Sequence, residues 1–208
     1  MKRLGEVVYL VDDDVSIREA LTGLLEALGL TVVSFESAES FLRHERADEA
    51  ACLLLDLQLP QMNGLELQKR LAVSPNLPVI FITGHGDIPS SVRAMKAGAY
   101  EFLTKPVDRE ALTAAIRSAL ALNRETRRQQ ADIADLRARL SRLTPREREV
   151  LSLIVSGYLN KQVAATLRIT EVTVQIHRGR IMRKMAVSSF AELVRVCGML
   201  DIPKASSP

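Results

Sequence analysis

The chain has 208 residues, 47% of them apolar, and a net charge of +3, which suits one or two domains with cores of their own. No apolar run reaches membrane-spanning length and no signal-peptide apolar region opens the sequence, so a soluble, cytoplasmic protein is expected. Cys52 and Cys197 fall in separate segments and read as reduced thiols rather than a disulfide, and the isolated His44, His85 and His177 exclude a Cys/His zinc site.

The charge is unevenly spread. Residues 1–120 carry 12 basic and 17 acidic side chains, residues 121–143 carry 6 and 3, and residues 144–208 carry 10 and 5. An acidic first part joined to a basic second part points to a nucleic-acid-binding C-terminal domain.

In the first part, short apolar runs at 7–11, 31–35, 52–55, 79–82 and 100–103 alternate with helical patterns near 16–28, 38–44, 65–71, 88–97 and 109–122. Five strands alternating with five helices predict a parallel, doubly wound α/β sheet. Ile17, Leu21, Leu24, Leu25 and Leu28 recur at helical spacing and form the buried stripe of the first helix. Gly29, Gly64 and Gly98 fit helix ends and turns.

Open α/β sheets gather their chemistry at the carboxyl ends of the strands. There the sequence offers Asp12-Asp13-Asp14, then Asp56 closing Leu53-Leu54-Leu55, then Thr83 after Ile80-Phe81-Ile82, then Lys105-Pro106 after Phe102-Leu103-Thr104. Each has a plainer reading alone: helix capping for the acidic run, a turn for Asp56 before Pro60, a turn for Thr83-Gly84, a strand exit for Lys105-Pro106. Four such groups on one sheet edge point instead to a functional site.

This order resembles the receiver domain of two-component response regulators across residues 5–121, with the CheY-like (βα)5 fold that the resemblance implies. The resemblance makes Asp56 the phosphoacceptor and a sensor histidine kinase the donor of a phosphohistidine phosphoryl group. It implies Mg²⁺ held by Asp13 and Asp56 directly, by Asp12 through water, and by the backbone carbonyl of Gln58; Asp14 is not counted among the ligands. A hard cation with oxygen ligands relieves the repulsion of clustered carboxylates. Lys105 would pair with one phosphoryl oxygen and the Thr83 hydroxyl would donate to another, since phosphoryl transfer depends on positioning and charge.

In receivers the loop after the threonine, here 84–89, is drawn in with the switch, and an aromatic residue on the last strand turns inward; Phe102 matches that residue. Thr83-Gly84-His85-Gly86-Asp87 and Ala94-Met95-Lys96-Ala97-Gly98-Ala99 look like the FixJ-type branch, in which the face formed by the fourth helix and fifth strand pairs after phosphorylation. Val92, Met95 and Lys96 are the expected dimer-face residues. Aspartyl-phosphate hydrolases use a similar site but need a second Asp two residues after the nucleophile, where this chain has Gln58, so no turnover enzyme is expected.

Residues 122–142 contain no Pro or Gly and are densely charged, which predicts a helical linker rather than a floppy one. Ile133, Leu136, Leu140 and Leu143 follow a 3-4-3 spacing, a seam of under two heptads; a long helical linker that pairs in a dimer is expected, the alternative being an apolar edge that rests on a neighbouring domain.

Over 143–204, Thr144-Pro145-Arg146-Glu147 is a helix start with a capping box, followed by Val150, Leu151, Ile154 and Val155 as its apolar stripe. A short helix near 160–167, a third from Thr170 to about Met185 and a fourth from near Ser189 follow, the last with Glu192 placed to close a capping box. Two short helices with a tight turn, the second rich in Arg, suggest a helix-turn-helix. Leu143-Thr144-Pro145-Arg146-Glu147-Arg148-Glu149-Val150-Leu151, Gly157-Tyr158-Leu159-Asn160-Lys161 and Thr173-Val174-Gln175-Ile176-His177-Arg178 resemble the LuxR/NarL-type four-helix module.

That resemblance aligns Gln175, Ile176 and Gly179 with base-contacting positions, Gly179 departing from the longer side chain of some relatives. Gln suits adenine and Ile a thymine methyl. Thr173 belongs to the same DNA-facing set, and Lys161, Arg178, Arg180, Arg183 and Lys184 are expected to meet phosphates. His177 fits either a phosphate contact or the core. The implied protein is a transcription regulator whose phosphorylated form pairs on DNA half-sites and works with RNA polymerase. A phosphotransfer adaptor with a protein-binding basic domain is the rival reading. Residues 204–208 are patternless and expected to be disordered.

Overall fold

The structure, a computed structural model, describes residues 5–46, 48–71, 77–84, 88–200 and 202. The expectations about residues 204–208, His85 and the middle of the switch loop fall outside those residues. The chain forms two compact units, the first running to Arg128 and the second beginning at Gln129.

In the first unit the elements alternate as the sequence predicts: β1 (Glu6–Val11), α1 (Val15–Ala27), β2 (Thr31–Phe35), α2 (Ala38–Arg43), β3 (Ala50–Asp56), α3 (Gly64–Leu71), β4 (Val79–Thr83), α4 (Ile88–Lys96), β5 (Glu101–Thr104) and α5 (Arg109–Ser141). The five strands pair in parallel in the order β2-β1-β3-β4-β5. Right-handed crossovers make the helices change face when the strand order reverses, and the reversal leaves a crevice beyond the ends of β1 and β3.

Strand alternation explains the two cores. Val7, Tyr9, Val11, Leu53, Leu55, Val79 and Phe81 face one way, against Phe41, Leu67 and Ala94 of α2, α3 and α4. Val8, Leu10, Cys52, Leu54, Ile80 and Ile82 face the other way, against Leu21 and Leu25 of α1 and Leu112 and Ile116 of α5. Every residue of β3 and β4 is buried, which is why both read as unbroken apolar runs. Burial also pushes the Cys52 thiol up to about 12, leaving it protonated and inert.

The second unit contains α6 (Pro145–Val155), α7 (Asn160–Leu167), α8 (Glu171–Met185) and α9 (Phe190–Met199). Thr144 caps α6 with a full capping box, Thr170 caps α8 by accepting from the Thr173 N–H, and Ser189 caps α9 by accepting from the Glu192 N–H. The Glu192 carboxylate reaches one residue further back than expected, accepting from the N–H and hydroxyl of Ser188. Val150, Leu151, Ile154, Val163, Val174, Ile181, Met185 and Leu193 form the core.

Residues 122–141 continue α5 without a break, and their side chains pack first in the first unit and then in the second. Asn123 is buried and its Oδ1 accepts from the Ala51 N–H at 2.9 Å, while Arg124 and Arg127 pair with Glu6 and Asp48. Further on, Leu136 and Leu143 are buried and Leu140 half-buried in the core of the second unit. The apolar seam therefore rests on the chain's own C-terminal helices; dimer pairing along it is not what this packing provides. Among the described residues, no helix is long and apolar enough to cross a membrane.

Candidate functional site

The crevice at the sheet edge collects side chains from three strands. Asp12 follows β1 directly and Asp56 ends β3, so parallel pairing of these strands brings their carboxylates together. Oxygens of Asp12, Asp13 and Asp56 all lie within 4.8 Å of one another. Asp12 and Asp56 are buried and Asp13 is exposed. From the end of β5, the Lys105 ammonium donates to Asp12 Oδ2 at 2.7 Å and to Asp56 Oδ2 at 2.8 Å. Burial works to lower the Lys105 pKa, but the hydrogen bonds and charges of Asp12 and Asp56 together hold it above the ordinary lysine value, so the ammonium stays charged.

The other oxygens are fixed locally. Asp12 Oδ1 accepts from the Asp14 N–H at 2.9 Å, and Asp56 Oδ1 from the Gln58 N–H at 3.0 Å. Asp14 caps α1, accepting from the N–H groups of Ser16 and Ile17. Thr83 is fully buried at the end of β4, and its carbonyl accepts from the Lys105 N–H at 2.7 Å. Phe102, half-buried on β5, stands opposite Phe81 with ring centroids 6.3 Å apart. The Lys105–Pro106 peptide is cis.

Hard carboxylate oxygens around an open corner suit Mg²⁺, which prefers oxygen ligands and retains water. Two buried carboxylates supply the charge and the exposed Asp13 leaves that corner open to solvent, so the donor set fits the ion.

Two further residues, neither read from the sequence as part of the site, shape this pocket. Gly64 opens α3, and a Cβ there would stand 2.5 Å from the Asp56 carbonyl oxygen and 2.9 Å from Phe81 Cε1. It stands at a helix end as expected, and its small size lets α3 start against the end of β3. Arg18 Nη1 donates to the Asp12 carbonyl at 2.7 Å.

On α4, Val92 and Met95 expose nearly half of their surface and Lys96 is exposed beside them. These three form an open, partly apolar strip on the first unit.

In the second unit, α8 buries Val174, Ile181 and Met185 and exposes Gln175, Ile176, Gly179, Arg180 and Arg183. Val172, which the sequence reading does not single out, is 64% exposed, lies one turn before Ile176 and extends this face. Lys161 is exposed on α7. Thr173 is half-buried, with its hydroxyl hydrogen-bonded to that of Thr170 at the start of α8. Arg178 lies deeper than expected, donating to Asn160 Oδ1 at 3.3 Å and stacking over Phe190 at 4.7 Å from the ring centroid. His177 is half-buried, its Nδ1 enclosed without a hydrogen-bond partner.

Lys184 departs from the phosphate-contact expectation. Its ammonium donates to Glu147 Oε2 at 2.6 Å and to the Arg142 carbonyl at 3.2 Å. The charge is turned inward by a buried carboxylate, not displayed on the basic face.

Comparison with known proteins agrees with both halves of this picture. Residues 8–117 match the family described as response regulator receiver domain, and residues 141–197 match bacterial regulatory proteins, luxR family. The chain is 45% identical to nodulation protein W of Bradyrhizobium diazoefficiens over 94% of its own length and 87% of the relative's. It is 40% identical to the transcriptional regulatory protein FixJ of Azorhizobium caulinodans, over 95% and 94% of the two chains. A solved structure of the response regulator StyR, 47% identical, aligns with a TM-score of 0.85 over 94% of this chain and 99% of that one. An acidic strand-end pocket followed by a helix-turn-helix, matched along nearly the whole chain, places this protein among the two-component transcriptional response regulators, with a receiver domain and a LuxR-type DNA-binding domain.

Proposed function

We propose that Asp56 accepts a phosphoryl group from a phosphohistidine of a sensor histidine kinase, and that this modification promotes pairing and sequence-specific DNA binding. The supporting observation is the convergence of Asp12, Asp13 and Asp56 with a charged Lys105 bridging two of them.

An Asp56 carboxylate oxygen attacks phosphorus, the P–N bond to the histidine ring breaks, and the ring keeps the electron pair, leaving an acyl phosphate on Asp56. Asp13, Asp56 and the Gln58 carbonyl would hold Mg²⁺, with Asp12 acting through water. When bound, the ion supplies positive charge against the phosphoryl oxygens. Lys105 leaves its resting position on Asp56 to pair with a phosphoryl oxygen, and the Thr83 hydroxyl donates to another. The modified residue is the protein itself, so this is phosphoacceptance without turnover of an external substrate.

The movement of Thr83 and Phe102 would reach the α4 strip of Val92, Met95 and Lys96, which then pairs with a second copy. Two paired chains would set their α8 helices about one DNA turn apart on half-sites, raising affinity through effective concentration. Gln175 and Ile176 read base edges, with Thr173 and Gly179 at the same surface; Lys161, Arg178, Arg180 and Arg183 meet phosphates. RNA polymerase is the expected downstream partner, and the cytoplasm the expected compartment.

The test is labelling with a small phosphodonor and Mg²⁺, with solution mass measured by light scattering in beryllofluoride. Wild type should label at one site and double in mass; Asp56→Asn should remain folded and do neither. Stoichiometric labelling of Asp56→Asn would overturn the assignment.

A further inference from the structure

Arg18 stands one turn into α1, half-buried, and the usual partner for such a side chain is the carboxylate four residues earlier. Here that residue is Asp14, whose Oδ1 is instead occupied by the Ser16 and Ile17 N–H groups. Among the described residues no acidic side chain forms an ion pair with Arg18. The guanidinium reaches past Asp14 to the carbonyl of Asp12, at 2.7 Å, while the Arg18 N–H donates to the Asp14 carbonyl at 3.0 Å.

The Asp12 carbonyl is the first to leave the sheet after β1 ends at Val11. Its own N–H still donates to Phe35 O on β2, at 3.2 Å. Its side-chain oxygens accept from Asp14 N–H and Lys105 Nζ. With Arg18 on the carbonyl, every polar group of Asp12 has a partner. The Asp12–Asp13 peptide is therefore held at its carbonyl by Arg18, while the Asp12 side chain and N–H anchor the residue before it, and the orientation of that peptide bears on where the exposed Asp13 carboxylate stands relative to Asp56.

We propose that Arg18 is a positioning residue for phosphoacceptance: by bonding the Asp12 carbonyl it fixes the Asp12–Asp13 peptide so that both carboxylates face the divalent cation. A charge-assisted bond to this carbonyl is stronger than a neutral one, and it brings positive charge to the base of a loop carrying three consecutive carboxylates. Groups that orient metal ligands change affinity by about 10–100-fold when removed. This inference rests on the reading of Asp56 as phosphoacceptor.

The experiment compares full-length wild type, Arg18→Met and Arg18→Lys, with Asp56→Asn as control. Three quantities are read: Mg²⁺ affinity by calorimetry, melting temperature, and labelling rate by acetyl phosphate across Mg²⁺ concentrations. Arg18→Met should weaken Mg²⁺ binding by about tenfold or more, with labelling at saturating Mg²⁺ recovering much of the loss. Arg18→Lys, which keeps the charge on a shorter side chain without the planar guanidinium, should lie between the two; it also carries the test should Arg18→Met fail to melt cooperatively. A lowered melting temperature with Mg²⁺ affinity within twofold of wild type, in whichever variant folds, would mean a purely structural role and would overturn the inference. Wild type that neither binds Mg²⁺ nor labels at Asp56 would overturn the phosphoacceptor reading, and this inference with it.

Discussion

Lys184 and Glu147 form a charged pair at 2.6 Å in which the carboxylate is almost wholly enclosed, its side chain 3% exposed against 34% for the lysine. Glu147 also closes the capping box of α6, accepting from the Thr144 N–H at 2.8 Å. Burial alone would raise the Glu147 pKa, yet the Lys184 hydrogen bond, the Thr144 bonds and the Lys184 charge together hold it below the ordinary carboxylate range.

Removing the lysine leaves a buried carboxylate with less compensation, so Lys184→Met should destabilise the DNA-binding domain by about 1–3 kcal/mol near neutral pH. Because the folded pKa of Glu147 is depressed, its stabilisation is complete above the ordinary glutamate value of about 4.3 and fades as pH falls through the folded value. The difference in melting temperature between wild type and Lys184→Met should therefore shrink below about pH 4. Thermal melts from pH 3 to 7 measure it; a constant difference across that range would refute the pair's role.

Gly64 gives a second prediction, for the pocket. Gly64→Ala places a methyl group 2.5 Å from the Asp56 carbonyl, and backbone on that side has no easy way to yield. Overpacking of this kind costs about 1–3 kcal/mol. The expected outcome is a lower melting temperature together with slower labelling of Asp56, since the strand end carrying the carboxylate must shift. Unchanged labelling would show that α3 moves instead.

What the sequence made legible follows from how local each cause is. The strands could be read because β3 and β4 are buried on both faces, and the start of α6 because a capping box lies within four residues. Asp12, Asp13, Asp56, Thr83 and Lys105 could be picked out because strand ends of a parallel sheet share one edge. Arg18 is one more charged residue on an amphipathic helix in the sequence, and only the loop geometry shows it bonded to Asp12. The 3-4-3 spacing of Ile133, Leu136, Leu140 and Leu143 is the same whether the partner is another chain or the α6–α9 core. Lys184 belongs to a basic stretch, and its neighbour Glu147 is 37 residues away. Non-local pairing of this kind has no local signature.

On the exposed face of α8, the two kinds of DNA contact should separate experimentally. Gln175→Ala should relax sequence preference by about 1–3 kcal/mol at one base pair. Arg183→Ala should weaken all sequences alike and reduce the salt slope by about one. Binding titrations on a half-site and on scrambled DNA, at several salt concentrations, measure both. Equal loss of specificity in the two variants would contradict the division.

Gly179 completes that face, and its smallness has no origin within the fold: a Cβ there would meet nothing within 4 Å. Glycine in an exposed helix interior costs about 1 kcal/mol relative to alanine. Gly179→Ala should therefore stabilise the domain by roughly that amount, raising its melting temperature. If α8 enters the major groove with this residue against the DNA, the same methyl group should weaken binding while the free protein becomes more stable. Melting and DNA titration of the one variant read both effects. Higher stability with unchanged affinity would place Gly179 away from the DNA surface and leave Gln175, Ile176 and Val172 as the base-facing set.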